Sequence, residues 1–114
     1  MNILVVDDEN TLRRMIRITL ESQGHAVTEA ATGASAVERV RAARPDLVLL
    51  DLKLGRESGL NVLSELHQAG PGGGVVVITA HATIETAVEP IRRGALDYLP
   101  KPFTPQQLAD LLAK

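Results

Sequence analysis

Several apolar runs in this sequence end on side chains that could handle a metal ion or a phosphoryl group. Asp7 and Asp8 follow Ile3–Val6, Asp51 follows Leu47–Leu50, Thr79 follows Val75–Ile78, and Lys101-Pro102 comes just after Leu96–Leu99. Carboxylates gathered at one point are costly: at ~5 Å and an effective dielectric near ~20, each pair repels by about 3 kcal/mol. Their pKa values should therefore be raised on balance, so that protonation relieves the strain. A hard divalent cation relieves it better, and Mg²⁺ suits a few carboxylates, water and a phosphate. Lys101 would add a fixed positive charge and Thr79 a hydroxyl donor. A carboxylate so surrounded can accept a phosphoryl group, with Asp51 as nucleophile and the cations on the equatorial oxygens. Taken singly, each group has a plainer reading. Asp7-Asp8 could cap a helix, Asp51 and Thr79 could be ordinary strand ends, and Lys-Pro an ordinary turn. The conjunction favours chemistry, because each group stands at the mouth of a different run.

For these groups to meet, the runs must be neighbouring strands pointing the same way. The strand candidates are Ile3–Val6, Ala26–Thr28, Leu47–Leu50, Val75–Ile78 and Leu96–Leu99. The first, third and fourth are continuous and mostly β-branched or Leu, as in strands buried on both faces. The second and fifth look peripheral. Helical patterns lie between and after them. Asn10–Gln23 carries Leu12, Met15, Ile16, Ile18 and Leu20 and stops at Gly24. Ala34–Ala43 has Thr32 as a cap, and Gly59–Ala69 has Ser58. Thr83–Arg93 stops at Gly94, and Pro105–Ala113 opens with a Thr104/Gln107 capping box and Pro105 in the first turn. Alternating strands and helices imply a parallel sheet covered on both faces. The expected fold is α/β: a doubly wound five-stranded parallel sheet of order 2-1-3-4-5 with five surrounding helices. In such sheets ligands bind beyond the carboxyl ends of the strands, which is where the polar groups stand.

Composition narrows the function further. The chain has 114 residues, enough for one domain, expected over 1–114. Its net charge of −2 lacks the basic excess of a nucleic-acid binder. Tyr98 and Phe103 are the only aromatics, too few for base stacking. With no Cys, there is no disulfide framework, thiolate zinc site or thiol nucleophile. No apolar run approaches the roughly 20 residues that cross a bilayer, and the first residues do not read as a signal peptide. A cytoplasmic location without membrane contact is expected. His25, His67 and His81 are scattered, with His25 and His67 expected at the surface and no metal role for any.

The segments LVVDDE, DLVLLDLKLGRESGL, VVVITAH and GALDYLPKPF, in this order, resemble the receiver domain of two-component response regulators, a CheY-like fold. The resemblance covers essentially the whole chain. The last two segments resemble receivers of the sigma-54-activating, nitrogen-regulation type. The resemblance implies that Asp51 is phosphorylated by a sensor histidine kinase. It implies Mg²⁺ bound by Asp8, Asp51 and the main-chain carbonyl of Lys53, and by Asp7 through water. Thr79 would bond the phosphoryl group, Lys101 would pair with its oxygen, and the Lys101-Pro102 bond would be cis. Tyr98 would be the switch aromatic, and Lys53 and His81 would tune loss of the phosphoryl group. The only reactions catalysed would be the domain's own phosphorylation and dephosphorylation. The readout would be the face of the fourth helix, fifth strand and fifth helix, with a homodimer possible on phosphorylation. Receivers of this type precede an ATPase domain and a DNA-binding domain, so those outputs are expected to be absent from this chain.

Some features depart from the family pattern. Leu54-Gly55 stand where Met-Pro is usual, Pro90 falls inside the fourth helix, and Gly72, Gly73 and Gly74 precede the fourth strand. Pro90 costs a helix hydrogen bond, and together with light burial it leads us to expect a mobile fourth helix. A stand-alone phosphorelay shuttle or adaptor is the alternative function. A dehalogenase-type phosphatase would need a second acid two residues after its nucleophile; Glu9 occupies that position after Asp7, but the segment continues Asn10-Thr11. A dinucleotide site lacks its G-x-G-x-x-G turn.

Overall fold

The computed structural model describes residues 1–54, 57–70, 74–79 and 89–113. Its strands are β1 (Asn2–Val6), β2 (Ala26–Ala30), β3 (Leu47–Asp51), β4 (Lys53–Leu54), β5 (Glu57–Ser58), β6 (Val75–Thr79) and β7 (Ala95–Pro100). Its helices are α1 (Asn10–Ser22), α2 (Gly33–Ala43), α3 (Gly59–Ala69), a helical stretch at residues 89–92 designated α4, and α5 (Pro105–Leu112). The main sheet has the order β2-β1-β3-β6-β7 with every neighbouring pair parallel. This is the expected doubly wound order; the short antiparallel pair β4-β5 stands outside it.

The continuous apolar runs are explained by a core on each side of the sheet. Side chains alternate across a strand. Leu4, Val6, Val48, Leu50, Val75 and Val77 therefore enter one cluster with residues of α2 and α3. Ile3, Val5, Leu47, Leu49, Val76 and Ile78 enter the other with residues of α1 and α5.

Helix ends follow their sequence signals. Thr32 and Ser35 form a capping box at α2, Ser58 Oγ accepts the Asn61 amide at α3, and Thr104 and Gln107 cap α5 reciprocally behind Pro105.

The structure also corrects details. Strand β2 runs on to Ala30, because Glu29 stays in register with Val5 while Arg13 and Arg17 hold its carboxylate. In α1 only Ile16 and Leu20 are buried, with Leu12 packed beside them; Met15 and Ile18 are 60% and 61% exposed. In β7 a bulge between Val75/Ala95 and Val76/Asp97 leaves Leu96 out of the pairing and 64% exposed. Leu96 is thus no core residue. Leu54 is 3% exposed and serves as an apolar plug. His67 is exposed and His25 half-buried. Gly55, the glycines at 72 and 73, His81 and residues 83–88 of the expected fourth helix lie outside the described residues.

Candidate functional site

The parallel sheet delivers Asp7, Asp51, Thr79 and Lys101 to one edge. Pairing to β2 extends one residue past β1, where the Asp7 amide donates to the Ala30 carbonyl at 3.2 Å. The Asp7 side chain then turns inward, 1% of the residue remaining exposed. Its Oδ1 accepts the Glu9 amide at 2.9 Å. Its Oδ2 is buried and has no hydrogen-bond partner among the described residues. Asp51 ends β3 and is 6% exposed. Its Oδ1 accepts the Lys53 amide at 2.9 Å and its Oδ2 accepts from Lys101 Nζ at 2.7 Å. Lys101 Nζ is also 3.6 Å from Asp7 Oδ2, an ion-pair distance too long for a hydrogen bond. The Lys101 amide donates to the Thr79 carbonyl at 2.8 Å, tying the ends of β6 and β7 together. The Lys101-Pro102 peptide is cis.

Burial dominates the electrostatics of Asp7 and pushes its carboxyl up to about 6. The Glu9 amide opposes this, the Asp51 charge reinforces it, and Lys101 opposes it again. The pair is thus held together against its own repulsion by one ammonium group.

Other expected site residues stand further out. Asp8 is exposed at the turn after Asp7, and among the described residues no three His, Asp or Glu side chains gather at one point. Lys53 is exposed, its amide engaged with Asp51. Thr79 is 8% exposed, and Tyr98 is half-buried against the cluster that contains Val77, its cross-strand partner. His81 lies outside the described residues. The capping reading of Asp7-Asp8 does not hold for α1. Its N-cap is Glu9, which makes no side-chain cap bond, and Asp7 bonds the amide of Glu9 itself.

Two residues were not singled out from the sequence. Arg13 donates from Nη1 to the Asp7 carbonyl at 2.7 Å, from Nη2 to Asn10 Oδ1 at 2.7 Å and from Nε to Glu29 Oε1 at 2.9 Å. A lone acid at Glu29, in a strand otherwise short of charge, was the available signal. At Gly59 a Cβ would overlap the Leu52 carbonyl, so only glycine lets α3 start so close to the segment after Asp51.

The donors at this edge are oxygens, and one buried carboxylate oxygen lacks a hydrogen-bond partner among the described residues. That combination fits a hard divalent cation such as Mg²⁺.

Residues 3–113 match the family model described as the response regulator receiver domain. The chain is a response regulator receiver domain. This receiver is 44% identical over 112 residues to the alginate biosynthesis transcriptional regulatory protein AlgB of Pseudomonas putida, covering 98% of this chain and 25% of that protein. It thus spans about a quarter of that relative's length. The crystal structure of the receiver domain of NtrX from Brucella abortus superposes with a TM-score of 0.89 at 40% identity, covering 97% of this chain and 94% of that one. A response regulator protein from Burkholderia pseudomallei, with a phosphorylated aspartic acid, calcium ion and citrate, gives a TM-score of 0.87 at 30% identity, covering 98% of this chain and 71% of that one. No described helix of this receiver is long and apolar enough to cross a membrane.

Proposed function

We propose that Asp51 accepts a phosphoryl group from a sensor histidine kinase and that this receiver, as one domain over 1–114, passes the signal to output domains. The carrying observation is that Lys101 Nζ lies 2.7 Å from Asp51 Oδ2 while facing Asp7 Oδ2 at 3.6 Å. A carboxylate oxygen of Asp51 attacks phosphorus, the bond from phosphorus to the kinase's imidazole nitrogen breaks, and the electron pair leaves with the imidazole. The Lys53 amide orients the Asp51 carboxylate. Lys101 neutralises charge on the phosphoryl oxygens, and Thr79 donates its hydroxyl to them. Asp7, Asp8, Asp51 and the main-chain carbonyl of Lys53 would hold Mg²⁺, Asp7 through water; when bound, the ion supplies positive charge against the phosphoryl oxygens. The phosphorylated aspartic acid in the Burkholderia regulator supports this reading.

Thr79 and Tyr98 are the switch pair, and the face of α4, β7 and α5 is the readout, through which phosphorylated copies associate. Lys53 and His81 tune the lifetime of the phospho-aspartate. Its output is a sigma-54-type activator with ATPase and DNA-binding domains, working in the cytoplasm; the likeness to AlgB, a transcriptional regulatory protein, supports a transcriptional output. Apart from its own phosphorylation and dephosphorylation, the domain catalyses nothing.

The test is titration of the ¹⁵N-labelled protein with beryllofluoride and Mg²⁺. Amide signals of Thr79, Tyr98 and Lys101 shift in the native protein and stay in place in Asp51→Asn. Equal shifts in both proteins would place the acceptor elsewhere.

A further inference from the structure

The turn between β1 and α1 carries both Asp7 and Asp8, yet it lacks the usual fastening. The N-cap of α1, Glu9, makes no side-chain cap bond. Besides the Glu9 amide on Asp7 Oδ1, the turn is held by a side chain from the first turn of α1. Arg13 reaches back to the Asp7 carbonyl at 2.7 Å, and on the way takes Asn10 Oδ1 at 2.7 Å and Glu29 Oε1 at 2.9 Å. Its side chain is 12% exposed and that of Glu29 16%. The contact is therefore shielded and set between α1 and β2.

We infer that Arg13 is a positioning residue for the divalent-cation site, orienting the Asp7–Asp8 peptide through the Asp7 carbonyl. The inference rests on the cation site proposed above. A peptide unit is planar, so fixing the Asp7 carbonyl also fixes the direction in which Asp8 leaves. The other side of Asp7 is already pinned by the hydrogen bond its amide donates to the Ala30 carbonyl. With both sides held, the buried carboxylate of Asp7 and the exposed one of Asp8 keep a constant relation to Asp51. Glu29 matches the guanidinium charge, so Arg13 supplies hydrogen bonds without adding net positive charge where a cation must bind. Lys is a poor replacement, because its three donors radiate from one nitrogen, whereas the guanidinium reaches three separate acceptors from three nitrogens held in a rigid fork.

Arg17 provides a control within the same network. It shares Glu29, at 2.9 Å from Oε2, and pairs with Glu21, and among the described residues it makes no side-chain bond to the Asp7 carbonyl. Losing Arg17 loosens the packing of α1 on β2 without releasing the Asp7 carbonyl. The experiment is calorimetric titration of Mg²⁺ into the native protein, Arg13→Met, Arg13→Lys and Arg17→Met, with a thermal melt of each. Removing a group that orients metal ligands weakens metal binding by about tenfold or more, and that loss is expected in Arg13→Met. Arg13→Lys, which keeps the charge and the fold, recovers little of it. Arg17→Met melts earlier but binds Mg²⁺ within about twofold of the native protein. Native-like affinity in Arg13→Lys would overturn the inference, as would equal weakening in Arg17→Met and Arg13→Met. If the native protein itself takes up no Mg²⁺, the cation site falls, and the positioning role with it.

Discussion

Lys101 and Asp51, fifty residues apart, meet at 2.7 Å because β3 and β7 end at the same edge of the sheet with only β6 between them. The Lys101 side chain is 19% exposed and that of Asp51 9%, so the pair is shielded but reachable from solvent. Removing the cation leaves two buried carboxylates facing each other. Lys101→Met should lower stability by about 2–3 kcal/mol at pH 7 and recover part of it when Mg²⁺ is added. Urea denaturation with and without Mg²⁺ measures this; a variant as stable as the native protein would contradict it.

The Asp7 carboxyl, raised by burial to about 6 in the fold, returns to ~3.9 when the chain unfolds. The folded state then binds the proton more tightly. The penalty is fully present above the folded value and is relieved as pH falls from ~6 toward ~4. In EDTA, Asp7→Asn should therefore be more stable than the native protein at pH 7, by on the order of 1–3 kcal/mol. The gain should shrink toward pH 4. A gain of the same size at both pH values would refute this origin of the strain.

Gly59 begins α3 directly against the backbone of Leu52, the residue between Asp51 and Lys53. In an open helix, replacing Gly by Ala stabilises by about 1 kcal/mol. Here the obstacle is main chain and cannot rotate aside, so Gly59→Ala should destabilise by about 2 kcal/mol or more. Gly24→Ala has open space but a φ of +92°, and should cost about 1 kcal/mol. Chemical denaturation of the two variants compares them; a stabilised Gly59→Ala would show that the close approach is not required.

Lys53 and His81 carry neither the carboxylate nor the amide that would align a water on a phospho-aspartate. The phosphorylated domain should lose its phosphoryl group slowly, and Lys53→Asn/His81→Glu should lose it faster. Decay followed by intact mass distinguishes them, and equal rates would count against the assignment.

The sheet order was legible because Ile3–Val6, Leu47–Leu50 and Val75–Ile78 are apolar at every position and too short for helices, as strands buried on both faces are. That Asp51, Thr79 and Lys101 stand at one edge was legible for the same reason, since they follow strands whose ends must align. Details that depend on tertiary packing were not. Helical spacing cannot say that Met15 and Ile18 face solvent while Ile16 and Leu20 face the sheet. Nor does alternation reveal a bulge, and the one in β7 leaves Leu96 unpaired and projecting outward. The β4-β5 pair is two residues a side and leaves no periodic trace. Arg13 was hidden because its partners, Asp7 and Glu29, are distant in sequence and are joined by the pairing of β1 with β2.

Whether Asp51 is the phosphoryl acceptor is tested most directly by intact mass after incubation with acetyl phosphate. The native protein with Mg²⁺ should gain the mass of one phosphoryl group. It should gain none in EDTA, and Asp51→Asn should gain none in either condition, because an amide is not a nucleophile. The same mass gain in Asp51→Asn would contradict the assignment.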